Sequence, residues 1–187
     1  MGGIETPKGE HKVNNRYESI AVGHNPAHVP HMNPLPWLLS LMMPACGAEG
    51  AVGLPVPQLM NIAAIVRPAT PNTALAGPAG LSPAPDIVTP AFAVRPAQLY
   101  AAIQVVAGHE PRTYKAANYD DAMQAHYVVR SAVLNFPDLV TVSVAGPIGG
   151  PSTLVIYSRS VYGHSDFGAN RKRVDAWLAA LDAAIKK

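Results

Sequence analysis

Apolar side chains recur at helical intervals just past the middle of the chain, where Leu99, Ile103 and Val106 are spaced by four and three residues. This spacing places the three side chains on one face of a helix. Pro96 precedes them, and proline favours the first helical position because its missing N–H would have no partner there. We predict a helix over residues 96–107.

A second stripe with the same period ends the chain and predicts a helix over residues 170–187, with these side chains facing a core: Val174, Trp177, Leu178, Leu181 and Ile185. We expect Trp177 to anchor that core rather than to stack on a ligand. Lys186 and Lys187 suit the negative end of the helix dipole.

Between the two helices, polar and apolar residues alternate with a period of two. The pattern predicts four short strands, at residues 112–116, 124–134, 139–145 and 153–159. Their connections are too short for parallel crossovers. The sequence therefore predicts an α+β domain in which a small antiparallel sheet of about four strands carries two helices on one face. We expect residues 67–91, rich in Pro, Thr and Ala, to form an irregular lead-in.

The first third of the chain has a different composition. Most of the 19 prolines and 15 glycines lie before residue 97. Residues 1–32 mix acidic and basic side chains, whereas residues 33–66 carry one formal charge, Glu49, and five prolines. We interpret residues 1–66 as an extended Pro/Gly-rich arm, polar to residue 32 and then apolar, followed by a single domain over residues 67–187.

The apolar part of the arm is too broken by proline for a spanning helix, since its longest run, residues 35–45, already contains Pro36 and Pro44. Three alternatives stay open: packing on its own domain or a partner, a membrane-touching segment, or a signal sequence. Cys46 ends a weak lipobox-like stretch, but 32 residues of mixed charge precede the apolar run. We expect no cleaved signal peptide. A Pro-rich arm of this length orders itself poorly, so we expect a partner protein to hold it.

Charge and motifs exclude several classes of function. A formal net charge of +2 is too small for a nucleic-acid binder without a concentrated basic face. The single cysteine, Cys46, excludes an intramolecular disulfide and a Cys-based zinc site. Phosphate loops, dinucleotide fingerprints and carboxylate pairs at active-site spacing are missing from the sequence. We expect neither a nucleic-acid partner nor a cofactor.

The densest group of polar residues joins the last predicted strand to the final helix, from Tyr157 to Arg173. It contains Ser, His, Asp, Arg and Asn and so resembles a set of catalytic residues. The sequence has no Gly-x-Ser-x-Gly motif, and three triad residues adjacent in sequence rarely converge in space. We interpret the run as a structural motif that consists of Ser158, Ser165, Asp166, Gly168 and Asn170. Asp166 or Asn170 caps the helix, Gly163 and Gly168 supply positive φ, and Ser165 bonds locally to the backbone. We therefore predict a protein that is not an enzyme.

Three successive cations, Arg171, Lys172 and Arg173, fall in the first turn of the final helix, where the helix dipole disfavours positive charge. We expect them to have partners, either internal carboxylates such as Asp166 or Asp138 or an external anion. Together with Arg159, they are the candidate partner or anion contacts.

Three histidines in the arm, His24, His28 and His31, have a spacing that would place imidazoles on one face of a helix. Pro26 and Pro30 argue against that helix. They are weak candidates for metal ligation, and we expect them to be exposed or to contact a partner.

Three stretches resemble a known family: Arg67-Pro68-Ala69-Thr70-Pro71-Asn72-Thr73, Phe136-Pro137-Asp138, and Tyr157-Ser158-Arg159-Ser160 through Ser165-Asp166-Phe167-Gly168-x-Asn170-Arg171-x-Arg173-Val174. They look like the family catalogued as domain of unknown function 1499, over about residues 67–185. The resemblance implies no established activity. Members of that family occur in proteobacteria and plastid-bearing eukaryotes, often with a membrane anchor ahead of the domain.

This chain has a polar leader and a proline-broken segment where such an anchor would be. The resemblance therefore implies peripheral membrane association, at a bacterial inner membrane or in a mitochondrion or plastid. Our first hypothesis is a non-catalytic accessory subunit of a larger membrane-associated complex, such as one in respiratory or photosynthetic electron transport, anchored through its arm. The alternative is a small-molecule or lipid-binding module with a pocket gated by Tyr157, Arg159 and Tyr162. An enzyme is the least favoured reading.

Overall fold

The computed structural model describes residues 48–186. Six strands form one sheet: β1 Thr73–Gly77, β2 Ile87–Val88, β3 Thr113–Tyr119, β4 Gln124–Arg130, β5 Pro137–Ala145 and β6 Thr153–Ser160. Two helices accompany it: α1 Pro96–His109 and α2 Ala169–Ile185. The strand order is β2-β1-β6-β5-β4-β3.

The α+β class and the two helices are confirmed, but the prediction of about four antiparallel strands is wrong. The sheet has six strands and is mixed, because β1 pairs in parallel with β2 and antiparallel with β6. β1 lies in the expected lead-in and is buried on both faces, so its sequence lacks the alternation that marks a half-exposed strand. Its parallel partner, β2, has only two residues. The loop over residues 78–86 is long enough to bring the chain back beside β1 for this short pairing, so no long crossover is needed.

One face of the sheet and both helices enclose the main core. β4 and β6 contribute alternate residues such as Tyr127 and Ile156, and α2 contributes Trp177, which is almost fully buried. The Trp177 indole meets the Tyr127 ring edge-on, with 5.8 Å between ring centroids. The expected role of Trp177 as a core anchor matches this position.

The opposite face of the sheet is covered by residues 48–66, which we call the strap. Its hydrogen bonds run to side chains of β3, β4 and the β4–β5 loop. Apolar strap residues, including Ile65, pack on a small second core with Leu75, Val155 and Tyr157. This part of the arm therefore packs on its own domain, while residues 1–47 lie outside the described part of the chain.

His126 is buried on the strap side of β4. Its Nδ1 lies 2.9 Å from the Thr141 hydroxyl, and the Tyr119 ring packs edge-on against the imidazole. Its Nε2 has no hydrogen-bond partner among residues 48–186. Burial lowers the pKa of His126, because the charged imidazolium would lose its hydration.

This lowered pKa predicts a loss of stability in acid. The stabilising effect of a neutral His126 is fully present above the ordinary histidine pKa of about 6.5. It decreases as the pH falls from there through the lowered pKa, by at most about 1.4 kcal/mol per pH unit. Urea unfolding at pH 7.5, 6.5 and 5.5 should show a flatter pH profile for His126→Gln than for the wild type. The exposed His109→Gln is the control, and equal profiles for all three proteins would contradict the prediction.

Candidate functional site at the strand-to-helix junction

The loop between β6 and α2 turns sharply, and its conformation explains several residues of the polar motif. Gly163 and Gly168 have φ of 88° and 79°, the left-handed region that only glycine adopts without strain. Phe167 also adopts a positive φ, 53°, which is unusual for a bulky residue. The motif is therefore a built strand-to-helix junction.

Asn170, in the first turn of α2, is the centre of a hydrogen-bond network and is completely buried. Its amide nitrogen lies 2.7–3.0 Å from three acceptors: the Asn72 carbonyl, the Ser160 hydroxyl and the Asp166 carboxylate. Its amide oxygen accepts from the Ser158 hydroxyl and the Arg173 guanidinium. A buried amide with all its hydrogen-bonding capacity used fixes the helix start against β6.

Arg173 extends the same network to β5. Its Nη2 donates to Asp138 Oδ2 at 2.7 Å, and its Nη1 donates to the hydroxyl of Ser158 at 2.9 Å. Both members of the ion pair are mostly buried, so the pair is screened weakly by solvent. We call Asn72, Asp138, Ser158, Ser160, Asp166, Asn170 and Arg173 the junction network.

Asp166 holds the loop to the helix start. Its two carboxylate oxygens accept the main-chain N–H groups of Gly168 and Asn170, at 2.9 and 2.8 Å. Burial acts to raise the pKa of Asp166, but these hydrogen bonds together outweigh it and leave the pKa below its ordinary value. The carboxylate is thus kept ionised and engaged.

The three stretches that carry the family resemblance meet in this network. The lead-in supplies Asn72, whose side chain donates to the Gly163 carbonyl at 2.7 Å. The β4–β5 connection leads into Asp138, and the junction itself supplies Ser158, Asn170 and the rest. Segments up to about 100 residues apart in sequence are joined here, as in the hydrogen bond between Asn72 and Asn170.

The polar motif does not form a Ser-His-Asp arrangement among the described residues. The Ser158 hydroxyl is buried between Asn170 and Arg173. His164 lies exposed in the loop and makes no described hydrogen bond to a serine or an aspartate. A nucleophile needs an adjacent general base within hydrogen-bond reach. This geometry offers Ser158 none within residues 48–186.

The candidate cations are not brought together. Arg173 is bound in the network, and Arg171 pairs with Asp175 on the helix surface at 3.1 Å. Lys172 is exposed and makes no ion pair within residues 48–186. Arg159 lies on β6, whose side chains alternate between the two faces of the sheet. It is on the strap face, like the buried Tyr157, and on the opposite face from Ser158.

The residues suggested to gate a pocket are also separated. Tyr157 is buried in the second core, while Tyr162 lies in a groove on the helix side of the sheet. As for metals, residues 48–186 contain no group of three or more His, Cys, Asp or Glu side chains placed to hold an ion. His24, His28 and His31 lie outside the described residues.

An apolar surface over the junction network was not predicted from the sequence. A groove of about 300 Å³ lies there, with Asp138, Ser160 and Asp166 in its lining. Its apolar lining, which we call the junction patch, consists of Val133, Leu134, Phe136, Tyr162 and Phe167. Phe167 and Val133 are 92% and 90% exposed. The sequence signal for this surface was the apolar pair Val133-Leu134, which precedes the turn at Asn135. This pair was predicted to belong to the strand over residues 124–134.

The fold and the junction define a small α+β domain whose motif residues hold a loop beneath an exposed apolar surface. The model of the family described as a protein of unknown function, DUF1499, matches residues 66–181. The chain belongs to this family. No curated protein matches it. Among the described residues, no helix has the length and apolar character needed to cross a membrane.

Proposed function

We propose that this protein is a non-catalytic accessory subunit of a larger membrane-associated assembly, and that the junction patch contacts another polypeptide of that assembly. The observation that carries the proposal is Phe167, which is 92% exposed and held at a φ of 53°. A bulky residue in the left-handed region costs on the order of 1–3 kcal/mol. Because the Phe167 ring is exposed, its contacts within residues 48–186 offset little of this cost. Burial of the ring against a partner would offset it and so explains the strained conformation.

The chemistry of the patch suits an apolar protein surface. Aromatic residues are enriched at the centres of protein interfaces, and free charges are depleted there. The two carboxylates in the groove are already engaged, Asp138 by Arg173 and Asp166 by main-chain N–H groups. Both Asp138 and Asp166 therefore keep their hydrogen-bond donors when a partner covers the groove.

The membrane-associated part of the proposal is supported by composition. Residues 33–47, which precede the strap, contain no charged side chain and three prolines. Such a segment suits contact with apolar surroundings, as expected for a subunit of a respiratory or photosynthetic electron-transport assembly. The arm and the junction patch would then provide two separate contacts.

Replacing Phe167 with asparagine tests the patch. Asparagine tolerates the left-handed region, so we expect F167N to unfold at the same urea concentration as the wild type or slightly higher. We expect the same substitution to remove the protein from its assembly, measured by native electrophoresis of solubilised membranes from the natural host. A binding role predicts this combination of normal stability with lost association.

The matched control is Ile148→Asn, since Ile148 is equally exposed but lies on the β5–β6 loop. It should leave assembly unchanged. A wild-type protein that migrates as a free monomer in the host would contradict the proposal, and so would an F167N variant that assembles normally.

The second candidate function is binding of a small molecule. A cleft of about 520 Å³ lies between the start of α1 and the β5–β6 loop, within the size range of ligand sites. Its lining is largely apolar, with Met123 and Ile148, and Arg95 and Gln98 supply polar groups. A ligand retained by the full-length chain in native mass spectrometry would favour this function.

A further inference from the structure

The sheet face beneath the strap binds main-chain atoms. Gln124 accepts from the Met60 N–H at 2.6 Å and donates to the Met60 carbonyl at 2.9 Å. Arg130 donates to the carbonyls of Gly50 and Val52, at 2.9 and 3.2 Å. The Tyr119 hydroxyl donates to the Pro57 carbonyl at 2.9 Å, and Asn135 donates to the Ala48 carbonyl at 3.0 Å.

These hydrogen bonds do not depend on the identity of the strap's side chains, because every peptide unit offers a carbonyl. Two of the side chains that make them, Gln124 and Arg130, lie on β4, which is paired on both sides in the sheet, and Arg130 also donates to the Asn135 carbonyl at 3.1 Å. Preorganised side chains lose little entropy on binding an extended peptide. The face thus has the properties of a polypeptide-binding site.

Side chains of the strap add a second, apolar element of recognition. Residues 50–66 contain no charged side chain. Met60, Ile62 and Ile65 pack against Leu75, Val155 and Tyr157. A ligand for this face is therefore extended and uncharged, with apolar residues at the positions of Met60, Ile62 and Ile65.

The strap is separable from the domain that it covers. It forms no strand of the six-stranded sheet among the described residues. The family match begins at residue 66, after the strap. The connection runs through the exposed residues Val66, Pro68 and Ala69 and through Arg67, which donates to the Thr73 hydroxyl and pairs with Asp86.

We propose that this sheet face is a binding site for an extended polypeptide segment that is uncharged where it matches residues 50–66, and that the strap is its occupant within the same chain. A partner segment of the same chemistry can replace the strap. Because the strap is tethered, its effective concentration is about 1 mM, so it excludes weak competitors. Exchange then requires the strap to be released, for example when the preceding residues are held by another protein.

The experiment uses the full chain with a protease site inserted between Pro68 and Ala69. After cleavage of the folded protein, a fluorescent synthetic peptide with the sequence of residues 48–68, which keeps the contacts of Arg67 with Thr73 and Asp86, is added and its anisotropy measured. We expect the labelled peptide to displace the cleaved strap and to bind the uncut protein far more weakly. A control peptide with the main-chain nitrogen of Met60 methylated cannot donate to Gln124. It should bind about tenfold more weakly.

Three results would overturn the proposal. The cleaved protein could keep its own strap without exchange until it unfolds, or it could aggregate as soon as the connection is cut. Either result would make the strap an inseparable part of the core. Equal binding of the methylated peptide would remove the main-chain recognition by Gln124. None of these results concerns Phe167, so the proposed role of the junction patch is tested separately.

Discussion

Replacing Arg173 with alanine should lower the free energy of unfolding by about 2–4 kcal/mol, because it leaves Asp138 mostly buried without its cation. The substitution also takes a donor from Ser158 and from Asn170, both completely buried. Buried acceptors that lose a donor incur the cost of their lost hydration. Urea unfolding at pH 7, followed by tryptophan fluorescence, measures the loss.

Arg171→Ala is the matched control, since Arg171 lies two residues earlier on the same helix. Its ion pair with Asp175 is half exposed, and such surface pairs contribute at most about 1 kcal/mol. Its Nη1 also donates to the Asp86 carbonyl at 3.1 Å, in an exposed position. The two substitutions remove the same side chain, so the difference between them reports the network. Equal losses for both variants would show that the junction network does not stabilise the helix start.

Replacing Arg130 with alanine should cost about 3 kcal/mol, because hydrogen bonds from a charged donor contribute about 1.5–3 kcal/mol each and this side chain makes several. It donates to Gly50, Val52 and Asn135 carbonyls from a buried position. We also expect faster hydrogen exchange in the strap, measured by mass spectrometry of peptides covering residues 48–66.

Arg95→Ala provides the comparison, because Arg95 is exposed at the start of α1 and its described side-chain hydrogen bond is to Gln98. Its loss should change unfolding by less than about 0.5 kcal/mol. If Arg130→Ala left the exchange of residues 48–66 unchanged, the strap would be held by its apolar contacts instead.

The helices were predictable because one apolar face of each packs on the sheet. The predicted helix over residues 96–107 corresponds to Pro96–His109, and that over 170–187 to Ala169–Ile185. An amphipathic helix needs one covered face, so its period appears in the sequence whatever covers it. The four strands expected between the helices were likewise found, with shifted ends.

The two strands that were not predicted, β1 and β2, lack the polar–apolar alternation that marks a half-exposed strand. β1 is buried on both faces, by helices on one side and the strap region on the other, so its residues show no alternation. β2 has two residues, too few for any period. A pattern within one segment cannot reveal a burial that depends on distant segments.

The candidate site shows the same division. The local roles of Gly168 and Asp166 were predictable, since positive φ and helix-start hydrogen bonding depend on near neighbours. The meeting of Asn72, Asp138 and Arg173 depends on tertiary structure. Phe167 was the hardest to anticipate, because an exposed aromatic residue with a positive φ contradicts its local preferences.

The strap lies outside the region matched by the family model but covers part of the sheet. The family model begins at residue 66, yet residues 48–65 cover the second core of Leu75, Val155 and Tyr157. Loss of the strap would expose Leu75, Val155 and Tyr157 to water, so this sheet face needs an occupant whenever the strap is released.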